Sequence, residues 1–188
     1  MKNFILTACA LFTVLTIFAQ QKPTDLDKSP MDMSYWPANY PILKLNGKAK
    51  DLPVARLLYS RPQKNGRTIF GGILKYGEMW RLGANESTEV EFFTTVKIGN
   101  KNIAKGRYTL YCIPNADKWT VILSNDNYGW GNYSYDIKKD VARVDIKPEK
   151  NIDVTENFTM YFDDAKNGAN LIILWDDVKA VLPITLVP

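Results

Sequence analysis

Alternation of apolar and polar residues along the chain predicts a β-rich domain. In Glu89–Ile98, the residues Val90, Phe92, Val96 and Ile98 share one face, which is the period-two pattern of a half-buried strand. Further strands are predicted over residues 52–59, 102–104, 107–113, 119–124, 140–147, 157–163, 169–175 and 179–187. About eight strands joined by short turns predict an all-β, antiparallel β-sandwich with long irregular loops and little or no helix.

The first residues predict a secretory signal peptide over residues 1–19. Lys2 supplies the positive start, Phe4–Phe18 is an apolar run, and Ala19 is a small residue suited to cleavage. A membrane anchor is the alternative, but the run is short for a spanning helix and no basic flank follows it. Cys9 resembles a lipoprotein cleavage site but lies too early in the run. We therefore expect export to the periplasm or cell envelope, without a transmembrane segment after cleavage.

Residues 20–47 form a polar, proline-rich segment ahead of the domain, which we place at residues 48–188. Proline spacing argues against helix here and favours an extended conformation. The prolines are Pro23, Pro30, Pro37 and Pro41. Because Met31, Met33, Tyr35 and Trp36 are apolar or aromatic, we expect part of this segment to pack against the domain.

Composition narrows the possible chemistry. The sequence has no histidine, which excludes Ser-His-Asp and Cys-His catalysis and zinc sites built on imidazole. The mild excess of 24 basic over 20 acidic residues is spread along the chain, which argues against nucleic acid as a partner. Cys112 is the cysteine left after cleavage, and its apolar strand context predicts a buried, inert thiol.

The stretch Tyr59–Glu86 is neither a plain strand nor a tight turn. Apolar residues such as Phe70 and Trp80 argue against a disordered linker, so we predict an ordered, irregular loop. Its polar residues are Arg61, Lys64, Arg67, Glu78, Arg81, Asn85 and Glu86. They favour a site for an anionic or polyhydroxylated ligand, with Trp80 stacking on a sugar face. The alternative is that these groups pair with one another and with loop carbonyls.

A second irregular loop, Asn125–Asn132, carries glycine, asparagine and aromatic residues. Tyr128, Trp130, Tyr133 and Tyr135 could form an aromatic platform for a glycan. The alternative is that these rings pack over a sandwich edge with their polar tips in water. Within the same loop, Asn125–Asn127 resembles a fragment of a calcium loop, but it lacks the spaced acidic ligands.

Paired carboxylates leave a hydrolase open as an alternative function. The candidates are Glu78 with Glu86, and Asp163–Asp164 with Asp176–Asp177. A glycosidase needs two carboxyl groups at a defined separation, which sequence does not fix.

Several motifs resemble those of the domain of unknown function 2911 family. They are Tyr59–Pro62, Lys64–Gly72, Tyr76–Glu86, Lys105–Leu110, Trp119–Ile122, Trp130–Gly131 and Lys138–Val144. The resemblance extends from about Leu52 to the end of the chain. It implies an exported, β-rich bacterial domain and transfers no activity, substrate or catalytic residue.

Together these patterns lead to the hypothesis of an exported, non-catalytic binding module for a polar, anionic or glycan-like small ligand. A carboxylate-dependent glycan hydrolase and a purely structural envelope protein are the alternatives. The candidate ligand-binding residues are Arg61, Arg67, Trp80, Arg81, Asn85, Glu86 and Trp130. We assign no catalytic residue, metal ligand or cofactor, and the oligomeric state stays open.

Overall fold

Two antiparallel sheets form the molecule, and their inward-facing apolar residues share one core. The computed structural model describes residues 25–49 and 51–187, so the predicted signal peptide and Cys9 lie outside the described residues. The strands of the larger sheet are β1 Met31–Trp36, β2 Ala55–Ser60, β3 Thr88–Phe92, β6 Gly106–Pro114, β7 Trp119–Ser124 and β8 Asp140–Ile146. Those of the smaller sheet are β4 Val96–Ile98, β5 Lys101–Ile103, β9 Glu149–Ala165 and β10 Gly168–Leu186.

The strand order is β1-β2-β3-β6-β7-β8 in the larger sheet and β5-β4-β10-β9 in the smaller one. This arrangement confirms the predicted all-β sandwich architecture. Its longest pairing is the β9–β10 hairpin, in which Ala165 lies opposite Gly168, as the Asn167–Gly168 turn signal predicts. The runs predicted over residues 169–175 and 179–187 are one strand, β10, which continues through irregular pairing around Asp176.

The run predicted as one strand over Glu89–Ile98 is two strands in different sheets. Its apolar residues Val90, Phe92, Val96 and Ile98 are all buried in the core, as the alternation predicts. However, β3 ends at Phe92 in the larger sheet and β4 begins at Val96 in the smaller one. Because both sheets face the same core, the apolar residues of this run stay buried although the chain passes from one sheet to the other.

The predicted extended segment holds a strand and a short helix. Strand β1 pairs along the whole of β2, from Met31 opposite Ser60 to Trp36 opposite Ala55. Helix α1 spans Tyr40–Leu45, so the expectation of no helix here is wrong. Pro41 lies in the first turn of α1, where its missing N–H costs no hydrogen bond.

A cluster of aromatic rings fills the core where the irregular loop passes between the sheets. Trp80 packs against Phe158, Trp119 and Trp175 at centroid distances of 5.1, 6.0 and 5.9 Å. Cys112 is fully buried beside this cluster, as predicted, and burial raises the pKa of its thiol. No helix in the described ranges has the length and apolar character needed to cross a membrane.

The irregular loop from Arg61 to Ser87 satisfies its backbone by pairing with both sheets. Trp80 exchanges two backbone hydrogen bonds with Cys112, at 2.7 and 2.8 Å, beyond the end of the β3–β6 pairing. Near its start, the Lys64 N–H donates to the Glu156 carbonyl at 2.8 Å. The loop is therefore an ordered part of the sandwich, as predicted, and its course fixes where each polar side chain lies.

Candidate functional site: an aromatic surface on the larger sheet

Residues 125–136, which we call the platform loop, cover part of the outer face of the larger sheet. Leu110 and Cys112 on β6 face the core, so Tyr111 between them faces outward. Tyr111 is nevertheless only 1% exposed, because the platform loop lies over it. Tyr135 packs edge-on against its ring at a centroid distance of 5.3 Å.

Hydrogen bonds attach the platform loop to the Arg61–Ser87 loop. The Ser87 hydroxyl donates to the Gly131 carbonyl at 2.7 Å, and the Ser87 N–H donates to the Gly129 carbonyl at 3.1 Å. The Asn132 amide donates to the Met79 carbonyl at 2.9 Å. The two irregular loops of the sequence therefore meet.

Three aromatic side chains of the platform loop project into solvent. Tyr128, Trp130 and Tyr133 are 79%, 58% and 82% exposed. A guanidinium lies against each tyrosine: Arg107 is 5.2 Å from the Tyr128 ring centre, and Arg81 is 5.8 Å from that of Tyr133. These cation–π contacts hold the two rings in place while most of their surface stays open.

Arg81, Asn85 and Glu86 flank this aromatic surface. The Arg81 Nη1 donates to the Asn85 carbonyl at 2.9 Å, its one hydrogen bond to the described residues. A Cβ at Gly131, whose φ is +67°, would lie 2.7 Å from that same nitrogen, so the guanidinium passes directly under the platform loop. Glu86 is exposed, and its carboxylate has no hydrogen-bond or ion-pair partner among the described residues.

A groove of about 220 Å³ runs beside Tyr128 on the same face. It is lined by Met31, Leu58, Glu86, Ser87, Glu89, Tyr128 and Gly129. Two wider grooves of about 720 and 730 Å³ share Leu186 and contain none of the candidate residues from the sequence. Glu86, a candidate residue from the sequence, thus helps to form the groove beside Tyr128.

Arg61 lies away from this surface and is fully engaged in structural contacts. Its Nη1 pairs with Asp32 at 3.0 Å, its Nη2 donates to the Thr159 hydroxyl at 2.9 Å, and its Nε donates to the Phe158 carbonyl at 3.2 Å. These partners belong to β1 and β9, so the guanidinium ties the two sheets together. Of the two roles considered for Arg61, its contacts match the structural one.

The surroundings of Arg67 and Trp80 also differ from those that the ligand-binding hypothesis predicts. The Arg67 guanidinium donates to the carbonyls of Lys64 and Gln63 within its own loop. Trp80 is 4% exposed, and its indole N–H donates to the Gly83 carbonyl at 3.2 Å. Its ring has no open face for a sugar, because core residues surround it.

The carboxylates proposed for hydrolysis do not converge on the groove. Glu78 is exposed and is not part of its lining, whereas Glu86 is. Asp176 has a structural role, since it accepts the Ile69 N–H at 3.3 Å and lies 3.4 Å from the Lys64 ammonium. Within residues 25–49 and 51–187, no three acidic or thiol side chains cluster as a metal site requires.

Sequence reasoning placed only Trp130 of the platform loop among the candidate ligand-binding residues. Tyr128 and Tyr133 belong to the predicted aromatic platform but not to that candidate set, and no sequence pattern indicates Arg107. The aromatic spacing within the loop was the available signal. Arg107 lies on β6 and Arg81 lies in the Arg61–Ser87 loop, so no local pattern links these arginines to the rings that they contact.

A hydrogen-bonded group anchors the far end of the platform loop. The Tyr135 hydroxyl donates to the Asp140 carboxylate at 2.7 Å and accepts from Arg143 at 2.5 Å. Burial, together with the bond to Asp140, raises the pKa of Tyr135 from 10.0 to about 12. Neutral tyrosine is therefore favoured in the folded state more than in the unfolded one.

The hydrogen-bonded group around Tyr135 predicts that the folded protein loses stability at alkaline pH. Because the folded pKa of Tyr135 is the higher one, its contribution is complete below pH 10.0 and is lost as the pH rises through about 12. In urea denaturation across this range, Tyr135→Phe should flatten the decline in the free energy of unfolding. Tyr133→Phe, at a ring that is 82% exposed, is the control and should leave the decline unchanged. Identical profiles for wild type and Tyr135→Phe would contradict the assignment.

Comparison with known proteins yields one family. A model described as "Protein of unknown function (DUF2911)" matches residues 44–184, which confirms the resemblance seen in the motifs. No curated protein and no solved structure matches the chain.

Proposed function

We propose that this chain, which belongs to the DUF2911 family of proteins of unknown function, is an exported, non-catalytic module that binds a glycan-like ligand. The binding site is the platform surface, formed by Tyr128, Trp130 and Tyr133 together with Arg81, Asn85 and Glu86. One observation carries the proposal: three exposed aromatic rings project from a single loop that is hydrogen-bonded to Ser87.

Exposed rings held in position suit the apolar faces of sugar rings. Solvent-exposed tryptophan and tyrosine offer large, rigid and amphipathic contact area, with a polar tip that can still bond water or ligand. The Arg107 and Arg81 guanidinium groups reduce the motion of two of the rings, so less conformational entropy is lost on binding. Hydroxyl groups of the ligand would find acceptors and donors in the polar residues alongside.

The contacts of the arginines favour a glycan over a small anion. A site for phosphate or carboxylate is expected to present guanidinium forks with free donors. Arg61 and Arg67 instead direct their donors to protein oxygens. Of the three arginines in the candidate set, Arg81 alone lies at the platform surface, and one of its nitrogens is already bonded to Asn85.

The test is a binding screen of the full chain against neutral, acidic and amino glycans, followed by titration calorimetry. Trp130→Ala and Tyr133→Ala should each weaken binding at least tenfold, about 1.4 kcal/mol, because aromatic anchors dominate such interfaces. Their melting temperatures should change little, since both rings are exposed. Tyr161→Ala, at a 40% exposed tyrosine of β9, is the matched control and should bind normally.

Two results would overturn the proposal. If no glycan binds, the aromatic surface serves some other purpose and the structural alternative gains support. If a glycan binds but both platform variants retain full affinity, the site lies elsewhere on the molecule.

A further inference from the structure

The groove beside Tyr128 has the size of a pocket for one substituent. Its volume of about 220 Å³ lies below the roughly 300 Å³ at which small-molecule sites begin, so it does not enclose a whole sugar ring with its neighbours. Met31, Leu58 and Tyr128 line it. A sugar stacked on Tyr128 would therefore place a substituent next to an apolar surface.

Two unpaired polar groups border the same groove. The Glu86 carboxylate accepts no hydrogen bond from the described residues, and a carboxylate offers acceptors to a ligand. The backbone N–H of Gly129 donates to none of those residues either. Glu89 is different, because its carboxylate accepts from the Tyr128 N–H at 2.9 Å and faces Arg107 at 3.7 Å.

An acetamido group combines the properties that this lining calls for. It has a methyl group for the apolar walls, an N–H to donate to Glu86 and a carbonyl oxygen to accept from a backbone N–H. A hydroxyl group at the same position would leave the apolar walls uncovered. A carboxylate could accept from the Gly129 N–H but would bring a second negative charge next to Glu86.

We infer that the ligand of this site is an N-acetylated amino sugar whose acetamido group occupies the groove beside Tyr128. This inference rests on the proposed function, because it assumes that the platform surface binds a glycan. It specifies the substituent that determines which ligand is preferred. It also assigns Glu86 as the acceptor of the acetamido N–H. Met31 then limits the space available to the methyl group.

The experiment compares three matched oligosaccharides that differ at one ring position, bearing an acetamido group, a hydroxyl group or a free amine. Titration of the full chain with N-acetylglucosamine, glucose and glucosamine oligomers of equal length and linkage should give at least tenfold tighter binding of the acetamido form. Met31→Trp, which adds bulk to the groove from the edge strand β1, should reduce this preference. Glu86→Gln should also reduce the preference.

Glu78→Gln, at an exposed glutamate outside the groove, is the control for Glu86→Gln and should preserve the preference. Equal affinity for the three oligosaccharides would overturn the acetamido inference and leave glycan binding intact. Tightest binding of the free amine would overturn it as well, by identifying Glu86 as the partner of a cation. Absence of binding to all three would overturn it too, and the broad glycan screen would then decide the fate of the proposed function separately.

Discussion

Trp80→Ala is expected to destabilise the fold by about 3–5 kcal/mol, the cost typical of truncating a large buried aromatic side chain. The ring is 4% exposed and lies among Phe70, Phe158, Trp119 and Trp175, so little can move to fill the space that it leaves. Such a loss is a large fraction of the roughly 5–15 kcal/mol by which domains are stable. Urea denaturation followed by circular dichroism gives the change directly.

Trp130→Ala separates this effect from any general consequence of removing a tryptophan. Its ring is 58% exposed on the platform loop, so the free energy of unfolding should change by less than about 1 kcal/mol. Binding and stability should therefore be affected by different tryptophans. A stable Trp80→Ala protein that no longer binds glycan would contradict this division and restore the ligand-stacking hypothesis for Trp80.

Arg61→Ala is expected to cost about 2 kcal/mol of stability without affecting ligand binding, since it removes three hydrogen bonds at a side chain that is about one-third exposed. The bonds to Thr159 and Phe158 reach β9 of the smaller sheet, whereas the pair with Asp32 joins Arg61 to β1 of the larger sheet. Alanine replaces none of these contacts. The midpoint of urea denaturation provides the measurement, and the affinity of the same variant for glycan provides the second readout.

Arg67→Ala is the matched control. Arg67 lies in the same loop as Arg61 and is replaced by the same residue, but its hydrogen-bond partners are different. Within the described part of the chain, the Arg67 guanidinium donates to the carbonyls of Gln63 and Lys64 alone, so the change should stay within about 0.5 kcal/mol. Weakened glycan binding by Arg61→Ala at unchanged stability would contradict the structural role given to Arg61.

Local sequence patterns predict the fold correctly where the residues of a segment determine its structure by themselves. The strand over Trp119–Ser124 and the Asn167–Gly168 turn follow from alternation and turn chemistry that each segment carries by itself. The crossing between Phe92 and Val96 could not be predicted in the same way. Alternation reports which side of a strand is buried, and that side does not change when the chain passes from one sheet to the other.

The residues of the irregular loop were assigned less well, for a physical reason. Trp80 sits among glycines and charged residues, a context that is typical of solvent-exposed loops, yet its burial depends on rings from distant strands. The partners of Arg61 lie 29 and 98 positions away in sequence, at Asp32 and Thr159. Whether an arginine is free for a ligand depends on such distant contacts, which no local pattern contains.

Attachment and recognition use different atoms of the platform loop. Ser87 is bonded to the main-chain carbonyl oxygens of Gly129 and Gly131, whereas the ligand would meet the side chains at positions 128, 130 and 133. Side-chain changes at positions 130 and 133 therefore leave these hydrogen bonds in place, while the φ of 65° at Tyr128 restricts the choice there. Such a surface can diverge in specificity through side-chain changes alone, and a library randomised at these positions offers a direct route to engineered variants with new glycan preferences.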